Sequence, residues 1–262
     1  MKIIESPNNE IIKKISLLKD KKQRDKENLF IVEGIKQICE IKNDWEVKQI
    51  FVCKDIKEKA DVNKALSGFN VETFDISKKA SDKLSSTKSP QGLFAVVEKK
   101  SFDIKTVLEK SGRFIFLENI SDPGNLGTII RSAEAFGISG VFVSKGSADI
   151  YSDKTLRSTM GSIFNIPVMD NIKVCDFLKI SSVLKIKTYA ADLKAKKYLQ
   201  KINLSRNSII FIGNESKGLS EEILNNVNEK FKIEMPGKIQ SLNASIAASI
   251  IMYEIEKLSP RF

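Results

Sequence analysis

Short apolar runs alternate with helical patterns along most of the chain, and that alternation predicts nearly every element. LFIV at Leu29, QIFVC at Gln49, VETF at Val71 and GLFAVV at Gly92 read as strands, with helices over residues 34–42, 55–66 and 76–84 between them. Ahead of these, Ile11, Ile12, Ile15 and Leu18 recur at three- and four-residue spacing, which predicts one helix over residues 8–28. The alternation resumes with the strand RFIFLENI, a helix over 124–136, the strand GVFVS, a helix over 154–160 and strands near Pro167 and Tyr189. IIFIG and FKIEM are strands on either side of a helix over 219–225, and a last helix runs from about Asn243 to Leu258. Between the two series, residues 101–112 are charged and hold one weak helical turn. The reading is a small α/β domain over 1–100, a linker over 101–112 and a second α/β domain over 113–262. In the second domain, strand–helix alternation at this spacing implies a largely parallel sheet with helices on both faces.

Three strand ends carry glycine and small polar residues, at the place where α/β proteins build ligand clefts. In SDPGNLGTIIRSAEAFG, Gly124 and Gly127 permit a tight turn, and Asn125 is placed to cap the helix or reach a ligand. Leu126, Ile129, Ile130, Ala133 and Phe136 form that helix's apolar stripe, while Arg131 lies off it, in helical spacing with Glu134. On spacing alone Arg131 reads as a solvated arginine with a weak ion pair. Its position about a turn beyond a glycine-rich strand end is the argument for aiming it at a cleft instead.

In IIFIGNESKGLS, Gly213 to Gly218 is not a phosphate-binding P-loop, because Leu219 stands where the lysine belongs. Gly124 to Gly127 likewise lacks the dinucleotide fingerprint's spacing. In IEMPGKIQSLNAS, Pro236-Gly237 predicts a turn with positive φ at the glycine. Ser241 or Asn243 is then an N-cap, a role that explains one of them but not both. Ala244, Ala247, Ala248 and Ser249 are small, so the last helix can pack closely on a neighbour or across a subunit interface.

Composition adds charge to this picture. The chain is 42% hydrophobic and 29% charged, as globular proteins are, and 43 Lys+Arg against 33 Asp+Glu give +10. That excess fits a polyanionic partner, with a surface merely kept soluble as the plain alternative. Much of it sits in the first helical stretch, where Lys13, Lys14, Lys19, Lys21, Lys22, Arg24 and Lys26 outnumber Asp20, Asp25 and Glu27. This face is either solvated or an RNA-backbone contact. The polar tip SSTKSPQG, residues 85–92, is a second surface able to meet a partner.

The chain has no histidine, which excludes the commonest general base, histidine triads and histidine-ligated metals. Catalysis must rest on other side chains, positioning and charge. Cys39, Cys53 and Cys175 show neither zinc nor disulfide-framework spacing, so no metal is expected. MKIIESPNNEIIKK has no apolar signal core, and no run is long enough to span a membrane, so a cytoplasmic protein is expected.

Taken in order, the three strand-end segments resemble the three motifs of the SpoU/TrmH family, RNA ribose 2′-O-methyltransferases of the SPOUT superfamily. NLGTIIRSAEAFG is similar to the first, FIGNESKGLS to the second and IEMPGKIQSLNASIAASIIMYE to the third, over about residues 113–258. SDKTLRSTMGSIFNIPV, with Arg157, Ser158 and Gly161, also fits, whereas Glu234 stands where the family commonly has proline. SPNNEIIKKISLLKDKKQRDKENLFIVEG resembles the substrate-binding domain appended to many rRNA-directed members.

The resemblance implies a C-terminal parallel-sheet SPOUT domain with a deep trefoil knot, a rare exception to unknotted topology. It also implies a homodimer whose interface completes the site, and S-adenosylmethionine as methyl donor without a metal. Carried over position by position, Gly213, Ile233 and Leu242 line the cofactor pocket, with Asn214, Gly218 and Met235 beside them. Arg131 is the implied catalytic residue: a guanidinium stays protonated, so it binds the adjacent phosphate and stabilises developing oxyanion charge. Asn125, Glu215, Ser241 and Asn243 hold pocket and nucleotide in register, and Lys13, Lys21, Lys22, Arg24 and Arg157 are the expected RNA contacts. The added domain favours large-subunit rRNA. The alternatives are a tRNA 2′-O-methyltransferase, or a non-catalytic RNA-binding or ribosome-assembly factor of the same fold.

Overall fold

The computed structural model describes residues 2–239 and 241–257. The first elements are β1 (Lys2–Ile4), α1 (Glu10–Ser16), α2 (Lys21–Glu27), β2 (Leu29–Glu33), α3 (Ile35–Cys39), β3 (Val47–Cys53), α4 (Ala60–Leu66), β4 (Glu72–Ile76), α5 (Lys78–Leu84) and β5 (Leu93–Glu98). Then come α6 (Ile104–Glu109), β6 (Arg113–Leu117), α7 (Pro123–Ala135), β7 (Gly140–Ser144), α8 (Asp153–Thr159), β8 (Val168–Ile172) and α9 (Val174–Val183). The last are β9 (Lys187–Ala191), β10 (Lys197–Tyr198), β11 (Ser208–Ile212), α10 (Glu221–Asn226), β12 (Glu229–Lys232) and α11 (Ala244–Lys257). The expected end of the final helix at Leu258 lies outside the described residues.

Two compact units result: Met1–Lys100 with Tyr151–Asn165, and Ser101–Ile150 with Ile166–Phe262. The first holds a mixed sheet in the order β1-β4-β3-β5-β2, antiparallel at β3/β5 and β5/β2 and parallel elsewhere. Phe51, Phe74 and Phe94 of that sheet pack with Ile12, Ile15 and Leu18. The single helix expected over 8–28 is two helices. The Asp20 carboxylate accepts hydrogen bonds from the backbone N–H groups of Lys22 and Gln23 at 2.8 and 3.3 Å, and so starts α2 afresh after a 3-10 turn at Leu17–Lys19. Apolar periodicity stops at Leu18 and could not reveal that cap. Tyr151–Asn165 joins this unit through an aromatic cluster: Phe30 and Tyr151 ring centroids lie 4.5 Å apart, and Trp45 Nε1 donates to the Phe164 carbonyl at 3.3 Å. The resemblance had grouped that segment with the second domain.

The second unit holds a seven-stranded sheet in the order β10-β12-β9-β11-β6-β7-β8, with every strand pair parallel. β11, late in the chain, fills the slot between the earlier β6 and β9. Phe114, Phe116, Phe142 and Phe211 pack with Phe177 of α9, Ile223 of α10 and Val107 and Leu108 of α6. Residues of the opposite parity, such as Ile115, Val141 and Ile210, are equally buried, as strand alternation requires when both faces are covered. α7 and α11 pack against each other, burying Leu126, Ile129, Ile130 and Ala133 from one and Ala248, Ile251, Met252 and Ile255 from the other. Residues 101–112 are thus no spacer, because α6 contributes to this core. α9 was missed because its fully buried stripe is only Phe177 and Ser181.

Candidate active site

Because β12, β9, β11 and β6 are parallel neighbours, their carboxyl ends share one edge of the sheet. The loops over 118–122, 192–196, 213–220 and 233–243 all start there, where α/β sheets bind ligands. A cavity of about 410 Å³ opens at this edge, and Gly213, Asn214, Gly218, Ile233, Met235 and Leu242 all line it. Glu215 and Ser241 border it too, whereas Asn125, Asn243 and Arg131 are not part of its wall.

The loop after β11 is closed on itself. Gly218 N donates to the Asn214 carbonyl at 2.9 Å, and the Asn214 Oδ1 accepts from the N–H groups of Ser216 and Lys217 at 2.8 and 3.2 Å. Gly218 has φ +69°, and a Cβ on Gly213 would lie 2.4 Å from the carbonyl carbon and oxygen of Gly218. Both glycines are therefore required by the loop's own geometry. Asn214 Nδ2 reaches across to the Asn119 carbonyl at 3.1 Å, which ties the β11 loop to the β6 loop. Glu118, 4% exposed, does the same at the other end: its Oε2 accepts from Ser220 N at 2.7 Å.

A polar network joins the three motifs. Asp122 caps α7 by accepting from Asn125 N at 2.8 Å, leaving the Asn125 side chain free to point elsewhere. Asn125 Nδ2 donates to Glu215 Oε1 at 2.6 Å, and Asn125 Oδ1 accepts from Asn243 Nδ2 at 3.1 Å. Asn243 is also the N-cap of α11, its Oδ1 accepting from Ser245 N at 2.9 Å and Ile246 N at 3.3 Å. That resolves the two-residue question: Asn243 caps and bridges, and Ser241 stays exposed at the cavity rim. α11 packs on α7 as its small residues allow, with Ser249 Oγ 2.8 Å from Ser132 Oγ.

Other expectations change. Arg131 is exposed on α7, and among the described residues it has no hydrogen-bond or ion-pair partner, Glu134 included. Gly237 does not adopt a positive φ, so its turn does not need glycine for that reason. Arg24 is a correction: it is 5% exposed, and its Nη1 donates to the carbonyls of Leu18 at 2.8 Å and Lys19 at 2.6 Å. It braces the 3-10 turn rather than facing RNA. Lys13, Lys21 and Lys22 are exposed, Lys21 alongside Asp25 at 3.1 Å, and the half-exposed Arg157 pairs with Asp153. The sequence reading missed Asp192 and Lys194, which line the cavity from the loop after β9, and the anchoring Glu118. A charged residue directly following an apolar strand, as in FIFLE and YAAD, was the available signal.

A parallel sheet whose strand-end loops frame a cavity of this size, knitted by an Asn–Glu–Asn network, is an α/β cofactor-binding scaffold. Residues 112–253 match the model of the SpoU rRNA Methylase family, and residues 9–95 match that of the MRM3-like substrate binding domain. The chain is 32% identical over 256 residues to the 23S rRNA (guanosine(2553)-2′-O)-methyltransferase RlmP of Bacillus subtilis, covering 97% of this chain and 99% of that protein. It is 26% identical over 250 residues to the 23S rRNA (uridine(2479)-2′-O)-methyltransferase of Streptomyces viridochromogenes, covering 91% and 86%. Among solved structures, the AdoMet-bound rRNA methyltransferase from Sinorhizobium meliloti superposes with a TM-score of 0.88 at 27% identity, covering 99% of both chains. The chain belongs to the SpoU rRNA methylase family.

Proposed function

We propose that the protein transfers the methyl group of S-adenosylmethionine to a ribose 2′-hydroxyl of large-subunit rRNA. The observation carrying this reading is the convergence of all six expected cofactor residues on one cavity. Its volume falls in the usual range for small-molecule sites, about 300–1,000 Å³. Ile233, Met235, Leu242 and Ile251 offer an apolar wall suited to a purine, while Asn214, Ser241 and Asp192 offer polar groups suited to a sugar and an amino acid. The cofactor supplies an activated methyl, so the protein's work is binding, orientation and charge.

Gly213 and Gly218 keep the β11 loop closed beneath the cofactor, and Asn125 fixes Glu215 and Asn243 at the mouth. Arg131 binds the phosphate next to the reacting ribose and stabilises negative charge growing on its oxygen; the proton leaves to phosphate or water. Its exposure and its place outside the cavity wall support a role completed in a homodimer, where a second copy or the RNA meets it. Lys13, Lys21, Lys22 and Arg157 contact RNA in this reading, and the protein works in the cytoplasm. No helix of the described residues is long and apolar enough to cross a membrane. The late insertion of β11 between β6 and β9 supports the trefoil knot. Large-subunit rRNA, ahead of tRNA, follows from the named activities of the full-length relatives.

The test is Arg131→Ala, assayed for methyl transfer to 23S rRNA and for cofactor affinity. Lost transfer with retained affinity is expected; full turnover would remove Arg131 from the mechanism.

A further inference from the structure

We propose that residues 85–91 are an RNA-contacting loop, held in its binding conformation by Glu33 and Lys19, and that it forms one RNA-backbone face with the exposed lysines of α1 and α2. The proposal rests on the reading that the substrate is RNA, and adds where that RNA is held. Glu33 ends β2 and is 8% exposed. Its Oε1 accepts from Gln91 N at 3.0 Å, and both carboxylate oxygens accept from Ser85 Oγ, at 3.0 and 2.8 Å. One carboxylate therefore clamps both ends of the loop. Ser85 Oγ also accepts from Thr87 N at 3.0 Å, which fixes the loop's first turn. Lys19 Nζ donates to the carbonyls of Ser85 at 2.5 Å and Lys83 at 2.8 Å, joining the loop's base to the turn between α1 and α2.

Glycines flank the clamp: Gly34 has φ +114°, and a Cβ there would lie 2.7 Å from Gln91 Oε1. Burying a carboxylate and ordering polar backbone both cost free energy. Apolar packing does not explain the expense, since Pro90 is the only apolar residue in SSTKSPQ. What the clamp fixes is the outer surface, where Ser86, Lys88, Ser89 and Gln91 are exposed. Pre-organised polar groups on a braced loop are the arrangement recognition requires.

The chemistry of that surface selects the ligand. The loop has no aromatic residue on which to stack a base, but it offers hydroxyls, an amide and an ammonium, groups that suit phosphate and the 2′-hydroxyl. α5, which leads into the loop, packs on α1. Lys13, Lys22 and Lys26 are exposed on α1 and α2, and among the described residues neither they nor Lys88 have an ion-pair partner. Exposed lysines without ion-pair partners among the described residues, on two helices whose connecting turn is tied through Lys19 to the base of a braced polar loop, fit an RNA backbone.

The experiment measures binding of the full-length protein to protein-free 23S rRNA by filter retention at several salt concentrations, together with methyl-transfer kinetics. Lys88→Ala should weaken binding about fivefold and lower the salt slope by about one, as expected for one lost phosphate contact. Glu33→Ala should raise the KM for RNA about tenfold with kcat little changed. Glu33→Gln should restore most of the loss, because its amide can donate to Ser85 Oγ while its carbonyl accepts from Gln91 N. Unchanged thermal melting and cofactor affinity in Glu33→Ala would exclude simple misfolding as the cause. Binding and KM unchanged in both Lys88→Ala and Glu33→Ala would overturn the proposal, as would wild-type protein that does not bind 23S rRNA. Wild-type protein that binds in a Lys88-dependent way without methylating would uphold this surface and refute the enzymatic reading instead.

Discussion

Gly213→Ala isolates the geometry of the cofactor loop. The new methyl group would sit 2.4 Å from the carbonyl carbon and oxygen of Gly218 and 2.6 Å from Leu219 N, all backbone atoms that no rotamer change can clear. Restoring ordinary contact requires the 213–219 segment to open by about 1 Å. Overpacking of this kind costs roughly 1–3 kcal/mol. In the ligand-free variant the loop is expected to relax outward by giving up part of the Gly218 N to Asn214 O bond, so that much of the cost should appear when a ligand demands the closed form. Taking ~2 kcal/mol for that closure, the affinity for S-adenosylmethionine falls about 30-fold. Isothermal titration of wild type and variant measures this directly. Gly237→Ala is the matched control, since a Cβ there meets nothing within 4 Å among the described residues and its φ is not left-handed. Wild-type affinity in Gly213→Ala, or equal losses in the two variants, would refute the closed-loop argument.

Other consequences are equally specific. Asn125→Ala removes a hydrogen bond to the Glu215 carboxylate and another from Asn243; at roughly 1 kcal/mol for a neutral bond and more for a charged one, denaturant melts should show a loss of about 2 kcal/mol. Cofactor affinity should fall with it, and an unchanged melt would show the network to be incidental. Glu118→Ala leaves the Ser220 N–H without its acceptor, so hydrogen exchange at Ser220 and in the first turn of α10 should accelerate, while wild-type protection would deny Glu118 an anchoring role. The Lys99 ammonium, hydrogen-bonded to Asp25 at 2.5 Å, holds the Asp25 carboxyl below its ordinary value, with burial opposing and Lys21 adding a smaller pull. A carboxyl depressed in the folded state adds stability above its unfolded pKa and loses it as pH falls through the folded value. Lys99→Met should therefore raise the Asp25 titration seen by NMR and flatten the acid limb of stability.

What the sequence revealed, and what it hid, follows from the range of each signal. Glycine and asparagine at strand ends are local signatures, so Gly213, Asn214 and Gly218 could be picked out as a ligand cleft before any fold was known, whereas Ile233, Met235 and Leu242 came only with the family resemblance. The bridge from Asn125 to Glu215 and Asn243 spans 90 and 118 residues, and no periodicity reports a contact at that distance. Arg24 shows the converse failure. A lysine-rich face predicts exposure for every cation on it, but the backbone carbonyls of Leu18 and Lys19 needed donors, and a long guanidinium supplied them. The helix break at Asp20 was readable as a cap signature, yet continuous charge and good helix formers on both sides masked it. Segment 151–165 carries a catalytic-family pattern but packs its aromatic residues with the first unit, a choice made by Trp45 and Phe30 far away in sequence.

Methyl transfer from radiolabelled S-adenosylmethionine to 23S rRNA, followed by complete alkaline digestion, tests the account most directly. A methylated 2′-oxygen cannot attack the neighbouring phosphate, so the label should emerge in one alkali-resistant dinucleotide, and none should appear with Arg131→Ala. Label recovered only in mononucleotides would place the methyl on a base and contradict ribose methylation; no label at all would contradict the enzyme.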